Sequence, residues 1–262
     1  KIYIKFMSFY DKKINKIFYN WLLFTFLLVF IMVVIGGLTR LTNSGLSITE
    51  WELFKGILPP LSKQDWDRYF QLYKEIPQYK LVFNTMNISE FKIIFYWEYA
   101  HRVLGRIIGI VFLIPLIFFI LQKKVSKEYL FNCILIMTLI CIQGVIGWYM
   151  VKSGLVNNVS VSHYRLSVHL VIAFIIISMI FWLILNLRYK TKKKFINFKF
   201  NNYPHFFLIL ILFIQITIGA FVSGLDAGHI YQTWPKMNHT YFPDDVEIKS
   251  LKDFFNFNSH SL

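Results

Sequence analysis

The stretch E90-F-K-I-I-F-Y-W-E-Y-A-H-R-V-L-G-R-I-I-G-I-V-F-L-I-P-L-I-F-F-I-L121 decides the architecture. Residues 94–121 are apolar and long enough to cross a bilayer core, which demands about 20 helical residues. Yet the first part of this run carries Glu98, His101, Arg102 and Arg106. Ionisable side chains inside a bilayer are costly and mark functional sites. Comparable apolar runs occupy 21–38, 129–150, 166–187 and 204–225. The composition agrees, with 56% hydrophobic, 19% aromatic and only 16% charged residues, where a soluble domain carries about 25% charged. Lys12, Lys13 and Lys16 precede the first run, but no small-x-small cleavage site follows, so that run reads as an uncleaved anchor. The fold class is an all-α integral membrane protein.

The net charge of +14 is unevenly placed. Lysines and arginines cluster before the first run, between the second and third (Lys123, Lys124, Lys127), and from Arg188 to Lys199. The connection 151–165 holds only Lys152 and Arg165. That asymmetry predicts a cytoplasmic N-terminus, with segments 39–93 and 226–262 outside. It ascribes the basic balance to a lipid partner and gives no support to nucleic-acid binding. Cys133 and Cys141 fall on one predicted helix about 12 Å apart, too far for a disulfide.

The 39–93 segment is long for a loop and should carry structure of its own. Ser62-Lys-Gln-Asp65 resembles a capping box, and Trp66, Phe70 and Tyr73 follow at helical spacing until Pro77. This predicts an amphipathic helix whose aromatic face rests on the membrane interface or covers a site. A repeat is also present. I35-G-G-L-T-R-L-T-N-S-G-L-S-I-T-E-W51 aligns without gaps to I218-G-A-F-V-S-G-L-D-A-G-H-I-Y-Q-T-W234, matching Ile35/Ile218, Gly36/Gly219, Gly45/Gly228 and Trp51/Trp234. Both copies leave the outer end of a span, as a duplicated four-helix unit would. The expected organisation is a cytoplasmic segment 1–20, a four-helix unit 21–187, a cytoplasmic loop 188–203, and the first helix of a second, similar unit in 204–262. The chain begins with Lys1 rather than Met and reads as a fragment.

Spans two and four both start outside, which sets His101 and His169 at comparable depth. Two imidazoles on separate helices at one level can ligate a haem iron axially. Glu98, three residues before His101, shares its helix face. Arg102 and Arg106 are i, i+4 to each other, Arg165 is four residues before His169, and all three suit propionate pairing. A lone histidine near a helix end is ordinarily an interfacial, hydrogen-bonded residue. Equal depth, a nearby carboxylate and flanking arginines favour the ligand reading here. His163 is about 240° around the helix from His169 and cannot serve the same iron. His205 enters from the wrong side, and His229, His239 and His260 lie outside the membrane. Gly105-x-x-x-Gly109, Gly144 and Gly147 permit close helix approach or leave room for a flat macrocycle.

The chain resembles the haem A synthase family of the alphaproteobacterial and mitochondrial type. The resemblance rests on G36-G-L-T-R-L-T-N-S-G-L-S-I-T-E-W51, Pro59-Pro-Leu61, E90–R106, G147-W-Y-M-V-K-S-G154, Y164-R-L-S-V-H-L170, G224-L-D-A-G228 and Thr233-Trp-Pro235. It implies an eight-helix tandem bundle in which haem O is oxidised to haem A, one ring methyl becoming a formyl group by successive hydroxylations, for terminal oxidases. His101 and His169 would hold the substrate haem, Glu98 would take part in the chemistry, and Arg40 joins the positioning arginines. A haem b cofactor would sit on a second histidine pair that lies beyond the family pattern reached by Leu262. Haem O synthase is the implied upstream partner, and the bacterial inner membrane (or the mitochondrial one) the implied location. The electron acceptor and oligomerisation are left open. Two other readings fit the residues alone: a b-type electron-transfer cytochrome, and a membrane carrier whose histidines relay protons.

Overall fold

The computed structural model of the chain describes residues 12–50, 55–123, 125–157, 159–191, 194–195, 203–230, 232–233, 235–237 and 239–241. Trp51 and Trp234 of the repeat, His260, and most of segments 1–20 and 188–203 lie outside or largely outside those residues. The described chain is helical: α1 (Lys12–Leu41), α2 (Lys63–Lys74), α3 (Pro77–Leu81), α4 (Ile88–Gln122), α5 (Lys127–Asn157), α6 (His163–Arg188), α7 (Tyr203–Gly224) and the single-turn α8 (Ala227–Ile230). Among the described residues, five helices are long and apolar enough to cross a membrane, within α1, α4, α5, α6 and α7. They carry many exposed large apolar side chains, such as Phe24, Phe30, Ile114, Phe131, Phe181 and Ile209, as helices facing lipid do.

The chain divides into two compact units, Lys1–Gly224 and Leu225–Leu262. In the first, α1 packs on α4 and α6, α5 packs on α4 and α6, and α7 lies along α6. In the second, α8 is followed by an isolated bridge between Met237 and Thr240.

Two apolar clusters hold the first unit. The inner one joins Phe18, Trp21 and Leu22 of α1 to Phe112 and Phe119 of α4, Cys133 and Ile136 of α5, and Ile180 and Leu183 of α6. Pro115 sits inside α4 and lacks the N–H that would bond Val111. The indole Nε1 of Trp21 donates to that freed Val111 carbonyl at 2.9 Å, so the proline is absorbed without an orphaned group. Cys133 and Cys141 are both free, as expected.

The outer cluster places Trp66, Phe70 and Tyr73 of α2 against Phe91 and Phe95 of α4 and Leu46. The aromatic stripe of α2 is therefore consumed in packing rather than laid on the membrane interface. Ser62 caps α2 through a reciprocal capping box with Asp65, as its sequence predicts. α2 ends at Lys74, before Pro77 as expected, and Pro77 itself starts α3, at a position where a missing N–H costs nothing. The outer cluster also explains why the helices overrun their apolar windows. α4 begins at Ile88 and α5 continues to Asn157, because Phe91, Val151 and Leu155 have a protein surface to bury against.

The repeat has a conformational counterpart. α1 ends at Leu41 and α7 at Gly224, which are aligned positions. The next turn passes through a left-handed residue in each copy, Asn43 (φ 52) and Asp226 (φ 51), again aligned. Asn and Asp tolerate this region better than other non-glycine residues.

Candidate functional site

Between the two clusters runs a seam where Glu98, His101 and Arg102 of α4 lie near His169 of α6, bordered by the partly buried Tyr99 and Leu104. On α4 it spans Glu98 to Arg102, below Phe95 and above Ile108; on α6 it holds His169, above Ile172. α4 begins at Ile88, ahead of the apolar window at 94, so His101 lies several turns from the start of its helix. Its extra turns belong to the outer cluster, so His101 still reaches the level of His169.

The two imidazoles are half-buried electrostatic neighbours. Each faces a glycine. A Cβ on Gly36 of α1 would stand 3.3 Å from Nε2 of His101, and one on Gly147 of α5 would stand 3.2 Å from Cε1 of His169. Side chains at these positions would crowd the rings, so glycine keeps both imidazoles free to orient. Among the described residues His101 makes no hydrogen bond, and Nδ1 of His169 is buried without a partner. Imidazoles left uncommitted inside a membrane bundle, with glycines beside them, fit a haem between α4 and α6.

Glu98 is 2% exposed and its carboxylate is fully engaged. After the left-handed turn at Asn43, the chain folds back over α4. Ser47 Oγ donates to Oε2 of Glu98 at 2.7 Å and the Ile48 N–H donates to the same oxygen at 2.9 Å. Arg102, one turn along α4, pairs with Oε1 at 2.6 Å and donates to the Ile48 carbonyl at 2.9 Å. Ile48 thus gives its N–H to the acid and its carbonyl to the base, closing the ring. The outer helices lock this loop from above: Gln78 Nε2 donates to the Asn43 carbonyl at 3.1 Å, and Tyr73 donates its hydroxyl to Gln78 Oε1 at 2.9 Å. Burial, with the Glu98 charge second, pushes the Tyr73 phenol well above its usual range, so it stays a donor.

The four arginines do not converge on one point. Arg106 donates to the Gly56 carbonyl at 3.0 Å. Arg102 borders two adjoining hollows: one of about 360 Å³, reaching Thr49, Trp148 and Lys152, and a smaller one lined by Tyr99 and Arg106. Arg165 bonds Ser153 and lies over the Tyr149 ring at 4.3 Å, joining α6 to α5. Arg40 donates to Asn43 at 2.9 Å and to the Ser223 carbonyl of α7, the residue aligned with Arg40 in the repeat. Arg102 and Arg106 thus stand beside the histidine level, whereas Arg40 and Arg165 act as ties between helices.

His163 is buried elsewhere, packed on Tyr164 and Phe221 and pressed against Gly224. His205 and His239 are exposed, and the side chains of His229 and His260 fall outside the described residues. Ser47, the Ile48 backbone, Gln78, Gly36 and Gln143 were not singled out as site residues from sequence, whereas Gly147 was, as room for a flat macrocycle. Ser47 and Gly36 lie in the 36–51 stretch, but nothing in its spacing reveals that it folds back onto Glu98.

No solved structure matches the chain. Among curated proteins it is similar to a haem A synthase of Pelagibacter ubique, 51% identical over 245 residues, covering 92% of this chain and 71% of that protein. A haem A synthase of Flavobacterium psychrophilum is 45% identical over 245 residues, covering 93% and 72%. One of Agrobacterium fabrum is 44% identical over 239 residues, covering 91% and 64%. The model of the COX15-CtaA family, described as cytochrome oxidase assembly protein, matches residues 19–261, and the chain belongs to that family.

Proposed function

We propose that this chain is a haem A synthase and that its seam holds the substrate haem O between His101 and His169. The observation that carries the reading is the pair of uncommitted imidazoles, each beside a glycine, between the two apolar clusters. The reaction is oxidation of a ring methyl to a formyl group with the electrons leaving to a separate acceptor, and a haem cofactor, when bound, would supply the redox chemistry. The chain's own residues bind and orient the substrate haem. His101 and His169 offer ring nitrogens from opposite sides, and the inner cluster below them keeps water from the seam. Arg102 and Arg106, beside the outer hollows, suit the propionates.

Glu98 is the acid of the site. Its oxygens accept from Ser47, Ile48 and Arg102, an arrangement that fixes a negative charge in place. A preorganised charge of this kind stabilises positive charge developing at the methyl carbon more effectively than a mobile one. The repeat supports a second four-helix unit beginning with α7, in which a haem b would serve as cofactor. The lysine and arginine asymmetry supports a cell-membrane protein with a cytoplasmic N-terminus. Haem O synthase is the implied supplier of substrate.

Extraction of the pigment bound to the purified protein tests the reading. A haem with a farnesylated side chain, lost on His101→Ala and on His169→Ala, is the expected result. Plain haem b at those histidines would make the chain an electron-transfer cytochrome instead. Absence of any haem would leave the carrier reading.

A further inference from the structure

Gln143 of α5 lies one turn before Gly147 on the same helix face, and that face meets His169. Its Nε2 donates to the backbone carbonyl of His169 at 2.8 Å. Its other amide atom, Oε1, is buried with no hydrogen-bond partner, and so is Nδ1 of His169. The two unmatched atoms are complementary. An amide oxygen only accepts, and a neutral imidazole that offers Nε2 to a metal carries its hydrogen on Nδ1. Gly147 leaves the ring space to turn, since a Cβ there would stand 3.2 Å from Cε1 and 3.9 Å from Nδ1.

We infer that Gln143 is a positioning residue for His169: its Oε1 takes the Nδ1 hydrogen while Nε2 faces the iron, and its Nε2 holds the α6 turn that carries the ligand. Metal-bound histidines almost always donate their second ring N–H, and that bond fixes both the tautomer and the ring plane. The inference rests on His169 being an axial ligand of the haem in the seam. It adds the group that selects which nitrogen the ligand presents, and it gives a purpose to a half-buried glutamine whose amide oxygen is buried and unmatched in a membrane helix, where that is costly.

The full chain, purified and loaded with haem O, is titrated in three forms: wild type, Gln143→Leu and Gln143→Glu. The His169-dependent signal is isolated by subtracting the His169→Ala spectrum. Gln143→Leu removes the acceptor at similar volume. It should weaken haem O binding about 10–100-fold, raise the midpoint potential and broaden the low-spin electron paramagnetic resonance signal. Gln143→Glu keeps an acceptor but loses the donor to the His169 carbonyl. It should bind haem O within about threefold of wild type, with the midpoint potential at or below the wild-type value. Helix melting without haem reports folding independently. If both variants melt early yet keep the wild-type potential and line shape, Gln143 only ties α5 to α6 and the inference is overturned. If wild type itself shows no His169-dependent low-spin haem, the ligand assignment has failed instead.

Discussion

Ser47 donates its hydroxyl to Oε2 of Glu98 at 2.7 Å, across a loop that returns from the end of α1 to the middle of α4. Because Arg102 and the Ile48 N–H also bind this carboxylate, Glu98 is a structural anchor as well as the acid proposed for the chemistry. Glu98→Gln separates the two roles, since it keeps the shape and removes the charge. Haem O occupancy should persist while haem A output falls, by about 10²-fold or more. Glu98→Asp should be intermediate, with the charge kept and the reach shortened. Extraction of both haems from the same membranes reads the outcome. Normal haem A output from Glu98→Gln would remove Glu98 from the chemistry, and a parallel loss of occupancy would leave it as an anchor alone.

Removing the partner should be worse than removing the acid. Arg102→Leu leaves a buried carboxylate held only by Ser47 and Ile48, and stranding a charge of this kind costs about 3–5 kcal/mol. Replacing both partners, as Glu98→Gln with Arg102→Leu, should recover part of that loss, because no uncompensated charge remains. Denaturant unfolding of the four forms in one detergent gives the coupling. Additive effects would mean that the 2.6 Å pair contributes nothing of its own.

The spans were legible because apolar length alone dictates them, and the capping box of α2 because Ser62 and Asp65 act within one turn. The proximity of His101 and His169 was legible too, because an up-and-down topology puts the N-terminal ends of α4 and α6 on one side. Nothing in the sequence showed that α4 extends outward to Ile88, since that extension depends on α2 offering Trp66 and Phe70 to Phe91 and Phe95. The same holds for Ser47, Gln78 and Gln143. Their roles are set by hydrogen bonds to residues distant in sequence, and periodicity carries no signal for such bonds.

The cap of α2 gives a pH dependence outside the membrane. The Ser62 side chain, then its backbone, hold the Asp65 carboxyl below its ordinary 3.8. A depressed acid contributes its stability above the unfolded value and loses it as pH falls through the folded one. Hydrogen exchange in α2, taken relative to the intrinsic rate at each pH, should therefore be flat from neutral pH to about 5 and rise below about 4. Asp65→Asn should remove that rise and leave faster exchange throughout. A transition near neutrality would assign the effect to another group.

The two histidines of α6 should separate cleanly, although six residues divide them. His169→Ala removes a ring from the seam and should abolish the low-spin spectrum of this half. His163 has a different surrounding: its ring lies 4.1 Å from that of Tyr164 and 5.6 Å from that of Phe221, the latter on α7. His163→Ala should keep the spectrum and lose about 0.5–1.5 kcal/mol of stability from the ring contacts. The contact also depends on Gly224, where a Cβ would stand 2.6 Å from Cβ and 2.9 Å from Cα of His163. Those atoms belong to the helix itself and cannot swing aside. Gly224→Ala should therefore push α7 off α6 and cost about 1–3 kcal/mol as overpacking, with the haem spectrum again unchanged. Thermal unfolding with spectra recorded on the same samples tests all three. If His163→Ala erased the low-spin signal and His169→Ala spared it, the axial ligand on α6 would be His163, and the seam would not be the haem site.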